Sequence, residues 1–184
     1  MTAPWQILSD TPLGQFRFLR LHNRRLQRMR DGHQDDFLWL GLPDWVMVLA
    51  LTPQQRLILV RQFRFGVEDF SWEPPGGIID AGESALQGAV RELREETGYA
   101  GTTPEDLGWL NPNPALQGNR AFFVFIRDCV RVCEPQFDLN EDIEMREFPL
   151  EEAFAMALDG RIRHVACVAA LFKLAAHLKI QPFS

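Results

Sequence analysis

The segment AVRELREETGY, residues 89–99, sets Glu92, Glu95 and Glu96 beside Arg91 and Arg94. Each helical residue advances about 100°. With Glu92 as origin, Glu96 lies at roughly +40° and Glu95 at roughly −60°, so the three carboxylates share an arc of about 100°. Ala89, Leu86, Leu93 and Val90 fall between roughly +60° and +160°, which puts the carboxylates at the border of the face the helix buries. Like charges four residues apart oppose helix formation, and near the C-terminal end the helix dipole disfavours anions as well. Arg91 offsets part of this cost. A divalent cation offsets more, and oxygen ligands select a hard ion, Mg²⁺ or Mn²⁺. The bland alternative is a solvated charged face. The Gly-rich turn just upstream, PPGGIIDAGE (74–83), counts against it.

The elements that position these residues follow from patterning. The chain has 184 residues, 46% hydrophobic and 24% charged, which suits one globular domain with an added subdomain. Its net charge of −6 argues against general binding to nucleic acid or anionic membranes, so an anionic substrate needs a local basic patch or a cation. Cys129, Cys133 and Cys167 form no CxxC pair, and the four histidines show no metalloprotease spacing. That pattern predicts no disulfide framework and no zinc site, and fits a reducing cytoplasmic setting. The N-terminal MTAPWQILSD lacks the charge and apolar run of a signal peptide, and no stretch approaches the roughly 20 apolar residues of a membrane span.

Residues 15–30 alternate in short apolar runs with His22, Asn23 and Arg24 between them, which predicts an N-terminal hairpin, basic on one face. WVMVLAL (45–51) and RLILVRQF (56–63), separated by TPQQ, predict an antiparallel strand pair. Residues 71–84 read as a loop with room for a short strand at Ile78–Ile79. Ser84 is a helix N-cap and Gly98 the stop. NPNPALQGNR (111–120) is a second long loop. RAFFVFIRDCV and EMREFPL are strands, and helices follow over 150–160 and 161–178. The order predicts an α/β or α+β fold, a largely mixed sheet covered by helices.

Gly77, Glu83, Arg91, Glu92, Glu95, Glu96 and Gly98 stand at the spacing Gly-x5-Glu-x7-Arg-Glu-U-x-Glu-Glu-x-Gly-U, where U is bulky and aliphatic. This resembles the Nudix box. Leu93 fills the first U, and Tyr99 departs from the last while keeping a large apolar body. LVRQFRFG, WEPPGG, NEDIE and DGRIRHVACVAALFKL extend the resemblance over residues 45–178, toward the ADP-ribose and nucleoside-diphosphate-sugar diphosphatases of that superfamily. Pro114, 16 residues past Gly98, and NPNPALQGNR fit the same subgroup.

The resemblance implies a Nudix α/β/α sandwich over 41–184, with residues 1–40 as an N-terminal β extension that dimerises. It implies Mg²⁺-dependent hydrolysis of the diphosphate linkage of a nucleoside diphosphate sugar or ADP-ribose, with Mn²⁺ able to substitute. Glu92, Glu95, Glu96 and the Gly76 carbonyl are then metal ligands, and Arg91 orients the carboxylates. Glu83 supports either the loop or a metal; an anion favoured at the helix N-terminus is an equal alternative. Glu141, within LNEDIE, is the implied general base, with Asp142 and Glu144 beside it; a solvated loop charge is the alternative. Arg64 is implied to bind phosphate and Glu73 to hold Arg64 or a ribose hydroxyl. Pro114, Asn119 and Arg120 are assigned to the substrate, and Trp45 to base stacking or to the core. A triphosphate or cap-type pyrophosphohydrolase and a non-catalytic ligand sensor remain open alternatives.

Overall fold

The computed structural model describes residues 3–137 and 142–181. The chain divides into two compact units, Met1–Pro43 with Asn111–Arg120, and Asp44–Leu110 with Ala121–Ser184. No helix among the described residues is long and apolar enough to cross a membrane.

In the first unit, β1 (Trp5–Phe16), β2 (Leu19–Arg28) and β3 (Gln34–Gly41) form an antiparallel sheet in that order. The hairpin turns at Arg17–Phe18, with Arg17 at φ 51°, and not at the polar triplet His22–Arg24, which lies inside β2. The sheet is largely exposed, so polar residues sit in mid-strand without a desolvation cost and hydropathy cannot mark the turn. Asp10 holds both His22 and Arg24 across the β1–β2 ladder, and the Arg24 guanidinium lies 3.7 Å from the centre of the Trp39 ring.

The second unit is built on β4 (Trp45–Ala50). Every residue from Val46 to Leu51 is at most 2% exposed, and alternate side chains enter two different cores. Met47, Leu49 and Leu51 pack with Leu57, Leu59, Phe123 and Phe125 beneath α2 (Leu150–Leu158) and α3 (Val165–Leu178). Val46, Val48 and Ala50 pack with Ile58, Val124 and Ile126 beneath Ala89 and Leu93 of α1 (Ala85–Thr97). Helices therefore cover both faces of the strand layer, the α/β/α arrangement expected.

That layer comprises two mixed or antiparallel sheets. In one, β4 runs parallel to β9 (Ala121–Ile126), which pairs antiparallel with β8 (Glu105–Leu110). In the other, β5 (Arg56–Arg64) lies between β11 (Glu144–Pro149) and β6 (Asp69–Glu73), antiparallel to both. A further short ladder joins β7 (Tyr99–Ala100) to β10 (Val130–Arg131). The expected β4–β5 hairpin is thus corrected. The two strands share a turn, in which Gln55 donates to the Thr52 carbonyl, and one bridge, Leu51 to Leu57, before diverging into separate sheets. Strands buried on both faces carry no alternation that would reveal their partner. The part of β1 before residue 15, and β3, β6, β7 and β8, carry no strand in the sequence reading. The final helix starts at Val165 and not at 161, because Arg161 folds back onto Asp159 and the Ile162 amide donates to the Met156 carbonyl.

Helix α1 is closed at both ends. Ser84 and Gln87 form a reciprocal capping box, and Gly98, at φ 73°, donates to the Arg94 carbonyl. A Cβ at Gly98 would stand 2.2 Å from the Cys133 carbonyl oxygen, so only glycine fits there. Ser84→Ala removes the cap and is expected to lower unfolding free energy by about 1 kcal/mol in urea titration. An unchanged midpoint would show that tertiary packing alone fixes the helix start.

Candidate metal and phosphate site

The three glutamates of α1 span a gradient of exposure within one turn. Glu96 is buried at 3%, and its Oε2 accepts the Gly76 amide at 2.8 Å. The Glu92 side chain is 12% exposed and that of Glu95 is 45% exposed. The border position read from the helical wheel is where Glu92 and Glu95 lie, while Glu96 goes deeper. Val90, on the apolar stripe of the wheel, is exposed because it lies farthest round the arc.

The loop before α1 runs along β4. The amides of Val46 and Val48 donate to the carbonyls of Gly77 and Pro75, at 2.9 and 2.8 Å, and the Ile79 amide donates to the Asp44 carbonyl. Gly76 is required by contact with backbone, and Gly77 lets the Glu92 carboxylate lie close against the turn. A Cβ on Gly76 would lie 2.0 Å from the Val46 oxygen, and one on Gly77 would lie 2.5 Å from Glu92 Oε1. The backbone of the turn therefore touches the carboxylates that the helix presents.

Arg91 ties these parts together. Its Nε and Nη2 donate to the two oxygens of Glu83 at 2.9 and 3.0 Å. Nη1 reaches Glu92 at 2.8 Å and Glu95 at 3.0 Å, and Nη2 also reaches the Ile78 carbonyl. Hydrogen bonds to Glu83, against an opposing effect of burial, and then to Glu92 and Glu95 raise the pKa of the guanidinium. Glu83 also accepts the Asp80 amide, so it closes the loop onto Arg91. Three carboxylates share one cation, and Glu96 adds a fourth negative charge on the same helix. The residues present thus form an oxygen-rich, net negative donor set that suits a hard divalent ion. A cavity of about 580 Å³ lies alongside, lined in part by Arg91, Glu95, Arg94 and Val90.

A second charged network lies on β5 and β6. Arg64 grips Glu73 bidentately, Nε to Oε1 at 2.9 Å and Nη2 to Oε2 at 2.7 Å. Glu73 is 1% exposed, whereas Arg64 is 44% exposed at the side chain. His164 Nδ1 approaches Glu73 Oε2 to 3.3 Å, and the imidazole stacks on Trp45 with ring centres 5.8 Å apart. Burial pushes the Glu73 carboxyl upward, but hydrogen bonds from His164 and Arg64 outweigh it and bring its pKa down to about 2. Glu73 thus holds Arg64. Trp45 is partly buried against the core beneath α3. Sequence reading missed His164 and Cys167, which lie more than ninety positions from Glu73.

Pro114, Asn119 and Arg120 belong to the first unit. Asn119 is 7% exposed and donates to the Pro43 carbonyl at 2.9 Å, and its own carbonyl accepts Asn111. Pro114 and Arg120 are exposed. Glu141 lies outside the described residues. Of its neighbours in sequence, Glu144 is engaged by Arg61 at 3.3 Å and Arg146 at 2.5 Å.

Because Glu73 has a folded pKa near 2 against an ordinary 4.5, its pairing stabilises the fold fully above about pH 4.5. That stability is lost as pH falls toward 2. Glu73→Gln is expected to cost about 2 kcal/mol at neutral pH. The gap to wild type should close between about pH 4.5 and 2 in urea titrations; a pH-independent gap would contradict the assignment.

Residues 42–171 match the NUDIX domain family. The ADP-ribose pyrophosphatase of Bacillus subtilis (strain 168) is 34% identical over 116 residues, which cover 62% of this chain and 62% of that protein. The chain therefore spans less than two thirds of that relative. The ADP compounds hydrolase NudE of Escherichia coli (strain K12) is 28% identical over 136 residues, 74% of this chain and 72% of that protein. A crystal structure of an ADP compounds hydrolase superposes with a TM-score of 0.86 over 97% of this chain and 96% of that one, at 24% identity, which establishes the shared fold. With the box complete at every fixed position and the family match covering most of its length, the chain belongs to the NUDIX domain family.

Proposed function

We propose that the protein is a Mg²⁺-dependent hydrolase, able to use Mn²⁺, that cleaves the diphosphate linkage of ADP-ribose or a nucleoside diphosphate sugar. The products are a nucleoside monophosphate and a sugar phosphate. The observation that carries this reading is the convergence of Glu92 and Glu96 on the Gly76–Gly77 turn, with Arg91 joining Glu95 to Glu92. The names of the Bacillus subtilis and Escherichia coli relatives support the substrate class.

In this reading Glu92, Glu95, Glu96 and the Gly76 carbonyl hold the metal. When bound, the metal neutralises charge on the diphosphate and acidifies the attacking water. Arg91 holds Glu92 and Glu95 at fixed angles, and its bond to Glu83 keeps the loop from drifting off the helix. Glu96 is oriented by the Gly76 amide. Arg64, held by Glu73 and still partly exposed, meets a substrate phosphate. Glu141 takes the proton of the attacking water, and Asn119 and Arg120 serve the terminal sugar or phosphate, with Pro114 on the substrate side. The setting is a reducing cytoplasm.

The three-stranded sheet is the dimerising element. It exposes Ile7, Leu13, Phe16, Phe37 and Leu38, each at 42% or more, an apolar load that a second copy of the chain would cover. Light scattering should report twice the chain mass of 21.1 kDa; a monomeric mass at micromolar concentration would remove this part.

A substrate panel with Mg²⁺ and with Mn²⁺, its products identified by mass, tests the chemistry. Sugar phosphate plus nucleoside monophosphate is expected. Pyrophosphate released from a triphosphate would replace the reading with the pyrophosphohydrolase one, and binding without cleavage would make the protein a sensor. Glu96→Gln should lower kcat/KM by about 10²–10³-fold or more, the equivalent of several kcal/mol of metal-derived stabilisation, while the fold persists.

A further inference from the structure

Three potential metal-ligating atoms meet away from the glutamate helix. Cys167 Sγ lies 3.3 Å from His164 Nδ1, which lies 3.3 Å from Glu73 Oε2, and ligand atoms of the three residues all fall within 4.8 Å of one another. We propose that Glu73, His164 and Cys167 form a second cation site, selective for a borderline-soft divalent ion such as Zn²⁺.

The spacing carries the proposal. Zn–S is about 2.3 Å, and Zn–N and Zn–O are about 2.0–2.2 Å. At tetrahedral angles those lengths put sulfur and nitrogen about 3.5 Å apart, and nitrogen and oxygen about 3.3 Å apart. The two observed separations of 3.3 Å lie within a few tenths of an ångström of these, and the sulfur-to-carboxylate edge is within 4.8 Å. The donor set of thiolate, imidazole and carboxylate suits Zn²⁺ and is a poor match for Mg²⁺, which the oxygen-only set on α1 suits.

The surroundings hold these ligands in place. Trp45 stacks on the imidazole, and the Cys167 amide donates to the His164 carbonyl at the start of α3. Arg64 orients the carboxylate as an outer partner of a metal ligand does. A carboxylate offers about four lone-pair sites; an ion on Oε2 shares that oxygen with Arg64 Nη2, at 2.7 Å, and leaves the Nε contact with Oε1 in place. Entry runs past His164, whose side chain is 37% exposed. Cys167 itself is wholly buried, which bars a substrate from its sulfur and excludes a nucleophilic role. On binding, the thiol proton leaves to solvent and a water completes the tetrahedron.

Co²⁺ titration of the EDTA-treated full chain tests the site, with Mg²⁺ in excess to occupy the glutamate helix. The thiolate-to-cobalt charge-transfer band and tetrahedral ligand-field bands should grow to one equivalent, and Zn²⁺ should bleach them. Cys167→Ala should abolish the charge-transfer band and Cys133→Ala should leave it intact. His164→Asn, at a partly exposed residue, should weaken Co²⁺ binding at least about tenfold. Absence of the band in wild type, its survival in Cys167→Ala, its loss in Cys133→Ala, or full affinity in His164→Asn each overturns the proposal. Circular dichroism of both ligand variants separates ligand loss from unfolding, and the wild-type titration alone suffices to refute the site. Activity is not the readout, so the outcome is independent of the proposed hydrolysis.

Discussion

Crowding carboxylates around a single guanidinium is the constraint that orders the second unit. Arg91 donates to Glu83 in the loop and to Glu92 and Glu95 on its own helix. Those bonds form together only if the loop enters α1 at one angle and the helix begins at one residue. The capping box at Ser84 fixes the start. The angle is set farther back, where the loop lies along β4 through the carbonyls of Pro75 and Gly77. β4 can serve as this ruler because its side chains are buried on both faces, which removes its freedom to slide or twist.

The same logic explains what could be read from the chain and what could not. The α1 segment was legible because its signals are local. A cap, a stop and a 3.6-residue period all lie within fifteen positions, and the helix runs where they place it. The glutamate face was legible to within one residue, since angle predicts exposure and only Glu96 went deeper than the border. Strand partnership was not legible. β4 and β5 look like one hairpin, yet each is apolar on both faces, so nothing in either sequence says which edge the other occupies. β6 escaped because its residues lead into a proline- and glycine-rich loop that dominates any local reading. The Glu73–His164–Cys167 group was invisible for another reason: it joins β6 to α3 across more than ninety positions, and His164 and Cys167 form no pattern without the carboxylate.

Two charged networks therefore coexist with different tasks. On α1 the negative charge exceeds what Arg91 offsets, a surplus that suits a cation. Between β5 and β6, Arg64 matches Glu73 in a fork, with His164 on the same carboxylate. The asymmetry of exposure within the pair matters. Glu73 is sealed at 1% while Arg64 keeps 44% of its side chain open, so the carboxylate acts as a fixed anchor and the guanidinium retains a solvent-facing edge. An arginine preset in this way loses less rotamer freedom on meeting an anion than one on a free stem.

Tyr99, the departure from an aliphatic residue at the end of the box, has a physical account in the same terms. Its ring is 8% exposed and packs in the core beneath α1, as an aliphatic side chain would. Its hydroxyl reaches farther and donates to Glu147 Oε1 at 2.7 Å, and Arg56 Nε lies 3.4 Å from Glu147 Oε2. Burial first, then the neighbouring Glu147 carboxylate, raise the phenol to about 12, so the hydroxyl remains a donor throughout the neutral range. An aliphatic residue supplies the packing but not this bond. The bond pins β11, which starts three residues after Glu141, to the C-terminal end of α1. The substitution therefore couples the helix that carries the carboxylates to the strand that follows the acidic loop.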